Sequence, residues 1–280
     1  MMAETNGESH EMMYLHRLDH GRFKNMMLDR TATTFQRLKN NPAIVAWSIG
    51  NEYIYTSNPL ASDGMWVEMI NYFKDHDGTR PVHSEGHGNS CGVDMDSNMY
   101  PTVDDIGKKA GNGKMPYVLC EFVHAMGNAV GNLKEYFDVV RSADNMLGGF
   151  VWDYIDQSRR TPLADTPDPD NAWDYYGEAG QNALLYADQM PGYFYAYGGD
   201  WGDKPNDEAF CVNGLLSPDR DPQPEMWEVK YQYQDFWFSA SEEDLLNQQV
   251  HVKSEKDTND LADYDVFWEV VEDGVAVTSG

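Results

Sequence analysis

Residues 43–52 read Ala43-Ile44-Val45-Ala46-Trp47-Ser48-Ile49-Gly50-Asn51-Glu52. The first seven are mostly apolar and partly β-branched, which is the pattern of a short strand buried on both faces of a parallel sheet. Polar residues follow the strand immediately. A buried strand that ends in polar groups is typical of α/β proteins, whose reactive side chains collect beyond the carboxyl ends of the strands.

The same alternation of helix and strand continues on both sides of this stretch. Apolar spacing predicts helices over residues 23–39, 64–74 and 133–141, and strands from 81 to 85, before 101, over 116–120 and over 147–152. The pattern favours an α/β fold, a (β/α)8 TIM barrel that lacks its first strands. A doubly wound open sheet is the alternative, although no GxGxxG loop follows a strand.

The pattern changes in the last third of the chain. Residues 158–191 are rich in Pro, Asp, Gly and Asn and predict a long ordered loop. Short alternating segments at 236–239, near 250 and at 266–271 predict antiparallel strands. We therefore expect residues 1–233 to form the C-terminal part of the barrel domain with its post-barrel loop. Residues 234–280 would begin a truncated antiparallel β-sandwich.

The composition narrows the classes of partner. The 280 residues carry a formal net charge of −27, which disfavours nucleic acid and anionic membrane surfaces. No apolar run approaches the roughly 20 residues that a membrane helix needs. Three cysteines without CxxC spacing indicate neither a disulfide framework nor a structural zinc site, and no signal peptide is evident. We expect a cytoplasmic protein.

Glu52 and Glu121 each follow a predicted strand. Glycoside hydrolysis needs one carboxylic acid and one carboxylate on opposite sides of the scissile bond, so a pair of strand-end glutamates is a candidate. Two solvated loop carboxylates would give the same pattern. Strand-end position alone leaves both interpretations open.

The flanking motifs resemble a known family. Residues 47–52 resemble the acid/base segment of glycoside hydrolase family 2. The nucleophile segment of the β-galactosidases in that family is similar to Cys120-Glu121-Phe122-Val123-His124-Ala125-Met126-Gly127-Asn128. The resemblance implies a retaining enzyme that releases terminal β-D-galactose from lactose-type β-galactosides. Glu52 would be the acid/base and Glu121 the nucleophile.

The resemblance also implies roles for residues around the pair. Tyr100 would lie against the nucleophile as a third catalytic residue. The substrate contacts implied in the same way are Asn51, Met99, His124, Trp152 and Asn213. Trp152 would offer an aromatic face to the sugar.

Two metal ions are implied by the same resemblance. A magnesium ion would be held by Glu8, His10 and Glu52, a donor set that suits a hard cation. A sodium ion would be held by the Phe210 carbonyl and Asn213. A metal-dependent hydrolase centred on Glu8, His10 and Glu52 is an alternative function.

The sequence departs from the family pattern in three ways. The loop Ser158–Pro191 is longer than in the best-known members, which predicts a reshaped rim of the site. Tyr53-Ile54-Tyr55 replaces the usual small residues after Glu52, which predicts a different leaving-group side. The chain also starts at the third barrel strand of the family, so we expect a fragment of a longer gene with little activity by itself. The full-length protein would be a homo-oligomer. A glucuronide or mannoside substrate remains the alternative within the family.

Overall fold

The computed structural model describes residues 1–8, 20–53, 64–87, 90–162, 192–256 and 258–280. The helices are α1 His20–Leu38, α2 Met65–His76, α3 Val103–Lys109, α4 Leu133–Val140, α5 Glu225–Gln232 and α6 Glu242–Leu246. The strands are β1 Met2–Glu4, β2 Ala46–Ser48, β3 Val82–His83, β4 Asp96–Met99, β5 Tyr117–Phe122, β6 Met146–Val151, β7 Arg159–Pro162, β8 Tyr193–Ala196, β9 Phe236–Ser239, β10 His251–Ser254, β11 Glu269–Glu272 and β12 Val275–Ser279.

The first six strands form two small parallel sheets in sequence order. One sheet has the order β1-β2-β3 and the other β4-β5-β6. Hydrogen bonds link the sheets between β3 and the segment before β4, where the Asp94 amide donates to the Val82 carbonyl at 2.8 Å. Parallel strands in sequential order, separated by helices, are consistent with part of a (β/α) barrel.

Strand β2 lies at the centre of the first core. All three of its residues are buried, as the apolar run predicts. The Trp47 ring is fully buried and stacks on Phe73 of α2, with ring centroids 5.0 Å apart. Phe35 of α1 packs against Trp47 at 5.6 Å. Helices α1 and α2 therefore cover the sheet with aromatic side chains.

Two sequence expectations need correction, and the structure also places Tyr53. Strand β5 continues through Glu121 to Phe122, because Glu121 still pairs with Met99 and Phe122 pairs with Val151. Strand β7 occupies part of the predicted 158–191 loop and pairs with β8. Tyr53 belongs to the core: it is fully buried, its hydroxyl donates to the Ile49 carbonyl, and its ring packs on Trp66.

The chain divides into two compact units, Met1–Val229 and Lys230–Gly280. The second unit contains two separate antiparallel hairpins, β9-β10 and β11-β12, in place of a continuous sheet. The β-sandwich therefore stays a prediction, as does the boundary at residue 233. In neither unit, within the described residues, is any helix long and apolar enough to cross a membrane.

Candidate active site

The acid/base candidate lies just beyond β2. Glu52 has a left-handed backbone with φ of 46°, and its amide donates to Glu85 Oε2 at 2.6 Å. Its neighbour Asn51 pairs with the end of the β1 segment, because the Asn51 amide donates to the Gly7 carbonyl at 2.9 Å. The Asn51 side-chain amide donates to Glu8 Oε2 at 2.9 Å. Carboxylates from three strand ends thus converge here.

The nucleophile candidate lies within β5. The Tyr100 hydroxyl donates to Glu121 Oε2 at 2.9 Å, and the Tyr100 amide donates to the Glu121 carbonyl at 2.8 Å. Tyr100 follows β4 with a left-handed φ of 46°. Two hydrogen bonds from one residue therefore orient both the backbone and the side chain of Glu121. Tyr100 therefore lies against Glu121, and its catalytic role stays a prediction.

The electrostatic environment of Glu121 is strongly acidic. Partial burial is the main cause that raises the pKa of Glu121 to about 7, and the charges of Glu52, Glu85 and Glu8 add to it. The hydrogen bond from Tyr100 acts in the opposite direction because it favours the ionised carboxylate. The charge of Glu52 also raises the pKa of Tyr100, although burial and Glu121 matter more. Glu52 and Glu121 are therefore close enough for their charges to interact.

A buried polar layer lies below this region. Ser48 Oγ donates to Glu4 Oε2 at 2.9 Å and lies 3.0 Å from His83 Nδ1, while His83 Nε2 lies 2.8 Å from Ser97 Oγ. Burial lowers the pKa of His83 to about 4, so the imidazole is neutral at neutral pH. The Ser48 hydroxyl has one proton, which it donates to Glu4. Nδ1 of His83 therefore donates to Ser48 Oγ, and Nε2 accepts from Ser97 Oγ. The layer joins β1, β2, β3 and β4 across the two sheets.

His124, Phe210 and Asn213 were predicted as site residues from the sequence, and contacts link them in a series that begins at Tyr100. The His124 ring lies between Tyr100 and Phe210, with ring centroids 6.0 Å and 5.6 Å away. His124 Nε2 is buried and has no hydrogen-bond partner among the described residues. A sugar hydroxyl would satisfy that nitrogen.

Phe210 and Asn213 offer two oxygens of the kind that a sodium ion takes. The Asn213 side-chain amide donates to the Phe210 carbonyl at 3.0 Å. Asn213 is buried, and its Oδ1 has no hydrogen-bond partner within the described parts of the chain. An orphaned buried amide oxygen beside a main-chain carbonyl fits the predicted sodium site, because hard cations bind such oxygens.

Backbone contacts position the two remaining substrate candidates. Met99 pairs with Glu121 in the β4-β5 ladder. The Trp152 carbonyl accepts from the Ala125 amide at 2.7 Å, which ties the end of β6 to the loop carrying His124. Both side chains are partly exposed. Their contacts with a sugar stay predictions.

The predicted magnesium ligands are described only in part. Glu8 and Glu52 both raise the pKa of Glu85, although burial contributes more, so both carboxylates lie near Glu85. Like charges held close together suit a divalent cation. His10 lies outside the described residues. Across the described ranges, no group of three or more His, Cys, Asp or Glu side chains could hold a metal ion. The third ligand therefore depends on His10.

Sequence reasoning placed Glu85 at a strand end but gave it no role, and it gave none to Glu4 or His83. The only signal for Glu85 is its position after β3, which matches that of Glu52 after β2. Its contact with the Glu52 amide depends on how the two strand ends pack, so the sequence pattern does not predict that contact. Cys91, Cys120 and Cys211 are all free thiols.

Parallel strands, covering helices and two carboxylates near the strand ends define a barrel-type hydrolytic domain. The sequence model described as "Glycosyl hydrolases family 2, TIM barrel domain" matches residues 1–238. The chain belongs to this family.

Several relatives carry a more specific name. A β-galactosidase from Halalkalibacterium halodurans is 34% identical over 259 residues, which cover 91% of this chain and 22% of the relative. The protein named β-galactosidase 2 from Enterobacter cloacae is 34% identical over 295 residues, covering 100% of this chain and 25% of the relative. The chain thus spans about a quarter of the length of the curated relatives it matches.

Among solved structures, the β-glucuronidase of Ruminococcus gnavus has a TM-score of 0.50 and 16% identity. The match covers 82% of this chain and 38% of that one. At this identity the likeness concerns the fold alone, and it agrees with part of a barrel.

Proposed function

We propose that the protein carrying this chain is a retaining β-galactosidase that hydrolyses terminal β-D-galactosides by double displacement. The observation that carries the proposal is the Tyr100–Glu121 hydrogen bond of 2.9 Å beside the charge of Glu52. It gives one carboxylate an orienting donor and a second carboxylate as its near neighbour. The 32–36% identity to proteins named β-galactosidases supports the choice of sugar.

In the first step, Glu121 attacks the anomeric carbon while Glu52 gives its proton to the leaving oxygen. The Tyr100 hydroxyl stabilises the ionised form of Glu121, which the reaction requires. In the second step, Glu52 takes a proton from water, and that water displaces Glu121 from the sugar. One bond to the sugar forms and one breaks in each step. Each displacement inverts the anomeric carbon, so the two together retain its configuration.

The remaining site residues bind the sugar in this proposal. His124 Nε2 would bond a hydroxyl, Trp152 would lie under the ring, and Asn51 and Met99 would border it. The Phe210 carbonyl and Asn213 Oδ1 would hold sodium, which would supply a fixed positive charge to the sugar hydroxyls. Glu8 and Glu52, with His10, would hold magnesium, which would lower the pKa of the nearby carboxylates.

Two variants of the complete gene product test the two catalytic roles. Glu121→Ala and Glu52→Ala should each lower turnover of phenyl β-galactoside by about 10⁴-fold or more. With azide and dinitrophenyl β-galactoside, the Glu121 variant should form the α-galactosyl azide by a single displacement. The Glu52 variant should form the β-galactosyl azide through the covalent intermediate. Near-normal rates in either variant, or exchanged anomers, contradict the assignment.

The sugar is tested separately. We expect kcat/KM for nitrophenyl β-galactoside to exceed that for the matching β-glucuronide and β-mannoside by about 10²-fold or more, because a site built for one hydroxyl pattern leaves polar groups unpaired with another. A higher kcat/KM for the glucuronide or mannoside would contradict the choice of galactose but not the assignment to the family.

A further inference from the structure

Glu85 stands next to the proposed acid/base but has no part in the reaction described above. It follows β3 directly, and its Oε2 accepts a hydrogen bond from the Glu52 amide at 2.6 Å. The charge of Glu85 also acts on Glu121. It raises the pKa of Glu121, although burial and the charge of Glu52 contribute more. Glu85 therefore contacts the backbone of Glu52 and lies close enough to Glu121 for its charge to act there.

The Glu52 backbone needs such a partner. Its φ of 46° is a left-handed conformation, which is strained in a residue that has a side chain and persists only where the surroundings stabilise it. The residue lies outside β2, so no strand ladder holds its amide. A carboxylate acceptor supplies a charge-assisted hydrogen bond, which is stronger than a bond to a neutral acceptor.

The segments that carry Glu52 and Glu85 are also packed closely by their backbones. The Glu85 amide donates to the Gly50 carbonyl at 3.3 Å. Gly86 has φ of 87°, and a Cβ atom at this position would overlap the carbonyl oxygen of Tyr53. The contact between Glu85 and Glu52 is therefore built into the packing of two strand ends and does not depend on a flexible surface side chain.

We propose that Glu85 is a positioning residue for the acid/base: its carboxylate, bonded to the Glu52 amide, holds the Glu52 backbone in the left-handed conformation from which its side chain protonates the leaving oxygen. The inference rests on the proposed function. Glu85 touches no reacting atom, so its removal displaces the acid and leaves the nucleophile in place.

Loss of Glu85 should affect some substrates more than others, depending on the leaving group. A phenyl leaving group needs a proton from the acid, whereas a dinitrophenolate leaves without one. Misplacing Glu52 should therefore slow glycosylation only for substrates with poor leaving groups, and kcat/KM reports that step. A residue with a merely structural role would slow both substrates alike.

The experiment uses Glu85→Ala and Glu85→Gln in the complete gene product. In Glu85→Ala, kcat/KM for phenyl β-galactoside should fall about 10²-fold, the usual size of general acid catalysis. The value for dinitrophenyl β-galactoside should stay within about 3-fold, because acid catalysis contributes little there. Glu85→Gln keeps an oxygen that accepts from the Glu52 amide, so it should restore most of the phenyl activity.

Asp94→Ala is the matched control. Asp94 Oδ2 accepts from the Val82 amide at 2.9 Å, so it is a carboxylate bonded to a main-chain amide at the opposite end of β3. Its loss should not change the ratio between the two substrates. Equal losses on both substrates in Glu85→Ala, wild-type rates in that variant, or a Gln variant as slow as Ala would each overturn the proposal.

The same assays separate this inference from the proposed function. Wild-type hydrolysis that is lost in Glu121→Ala supports the function whatever the Glu85 variants do. If the wild-type gene product hydrolyses no β-galactoside, both the function and the role of Glu85 are refuted.

Discussion

The two halves of the candidate site hold their carboxylates by different means. On the side of β1–β3, Glu52 lies beyond its strand, with a left-handed backbone that a second carboxylate, Glu85, holds through the amide. On the side of β4–β6, Glu121 lies within a regular strand, and the Tyr100 hydroxyl holds its side chain. One carboxylate is fixed through its backbone and the other through its oxygen.

This difference suits two different tasks. A nucleophile must be ionised and aimed, and a phenol that donates to its oxygen achieves both. An acid/base must gain and lose a proton, and a hydrogen bond donated by its amide orients its backbone without involving the carboxylate oxygens. The comparison predicts that variants on the two sides have different kinetic signatures.

The largest expected effect tests the nucleophile side. Tyr100→Phe should lower kcat/KM about 10²-fold for both phenyl and dinitrophenyl β-galactoside, because the aim of Glu121 matters for every leaving group. Kinetics with both substrates measure this. Tyr117→Phe, which removes a hydroxyl bonded to Asn98 at the start of β5, is the control and should stay near wild type. A leaving-group dependence like that expected for Glu85→Ala would remove the contrast between the sides.

The next effect tests the packing on the acid/base side. Gly86→Ala should lower the free energy of unfolding by about 2–4 kcal/mol, because it adds left-handed strain and an overlap with the Tyr53 carbonyl. Gly92→Ala is a close control, since its φ of 86° matches and an added Cβ would meet nothing within 4 Å. Denaturant unfolding measures both variants. Equal losses would mean that the strand ends are not tightly packed.

A smaller effect tests the metal on the acid/base side. With EDTA, the acid limb of kcat/KM should lie near pH 7, the pKa of Glu121, because the nucleophile must be ionised. Magnesium held by Glu8 and Glu52 should move that limb down by about one pH unit, since a nearby cation favours the carboxylate. Glu8→Gln should weaken the response. A limb that does not respond to magnesium contradicts the predicted site.

The smallest effect is on stability against pH, measured with EDTA. The pKa of Glu121 is raised from 4.5 to about 7 in the folded protein, so the folded state binds this proton more tightly than the unfolded state does. Its contribution to stability is present below pH 4.5 and is lost as pH rises to 7. Glu121→Gln should therefore raise the Tm relative to wild type by a few degrees at pH 8, but not at pH 4.5. A Tm of Glu121→Gln below that of wild type at pH 8 would mean that the folded protein stabilises Glu121 as an anion.

Local pattern was enough for some of these features. The apolar run before Glu52 predicted β2 because a strand buried on both faces has no polar period. Helices α1, α2 and α4 followed from apolar spacing, within a few residues of their observed bounds. The motifs around Glu52 and Glu121 predicted the family, which the match over residues 1–238 confirms.

Other features depend on contacts between segments that are distant in the chain. Strand β7 was missed because polar residues dominate Arg159–Pro162, and its pairing with β8 provides the structure. The leaving-group prediction concerned Tyr53-Ile54-Tyr55, of which only Tyr53 is described. The Tyr53 hydroxyl donates to the Ile49 carbonyl four residues back, which allows the ring to enter the core.

The sequence by itself determined the family, the buried strand β2 and the two candidate carboxylates, because short motifs and apolar periods are local properties. Only the tertiary structure decided how each carboxylate is held. The Glu52–Glu85 and Tyr100–Glu121 hydrogen bonds join residues 33 and 21 positions apart. Such contacts arise when strand ends meet, and the geometry of that meeting depends on the packing of the whole unit.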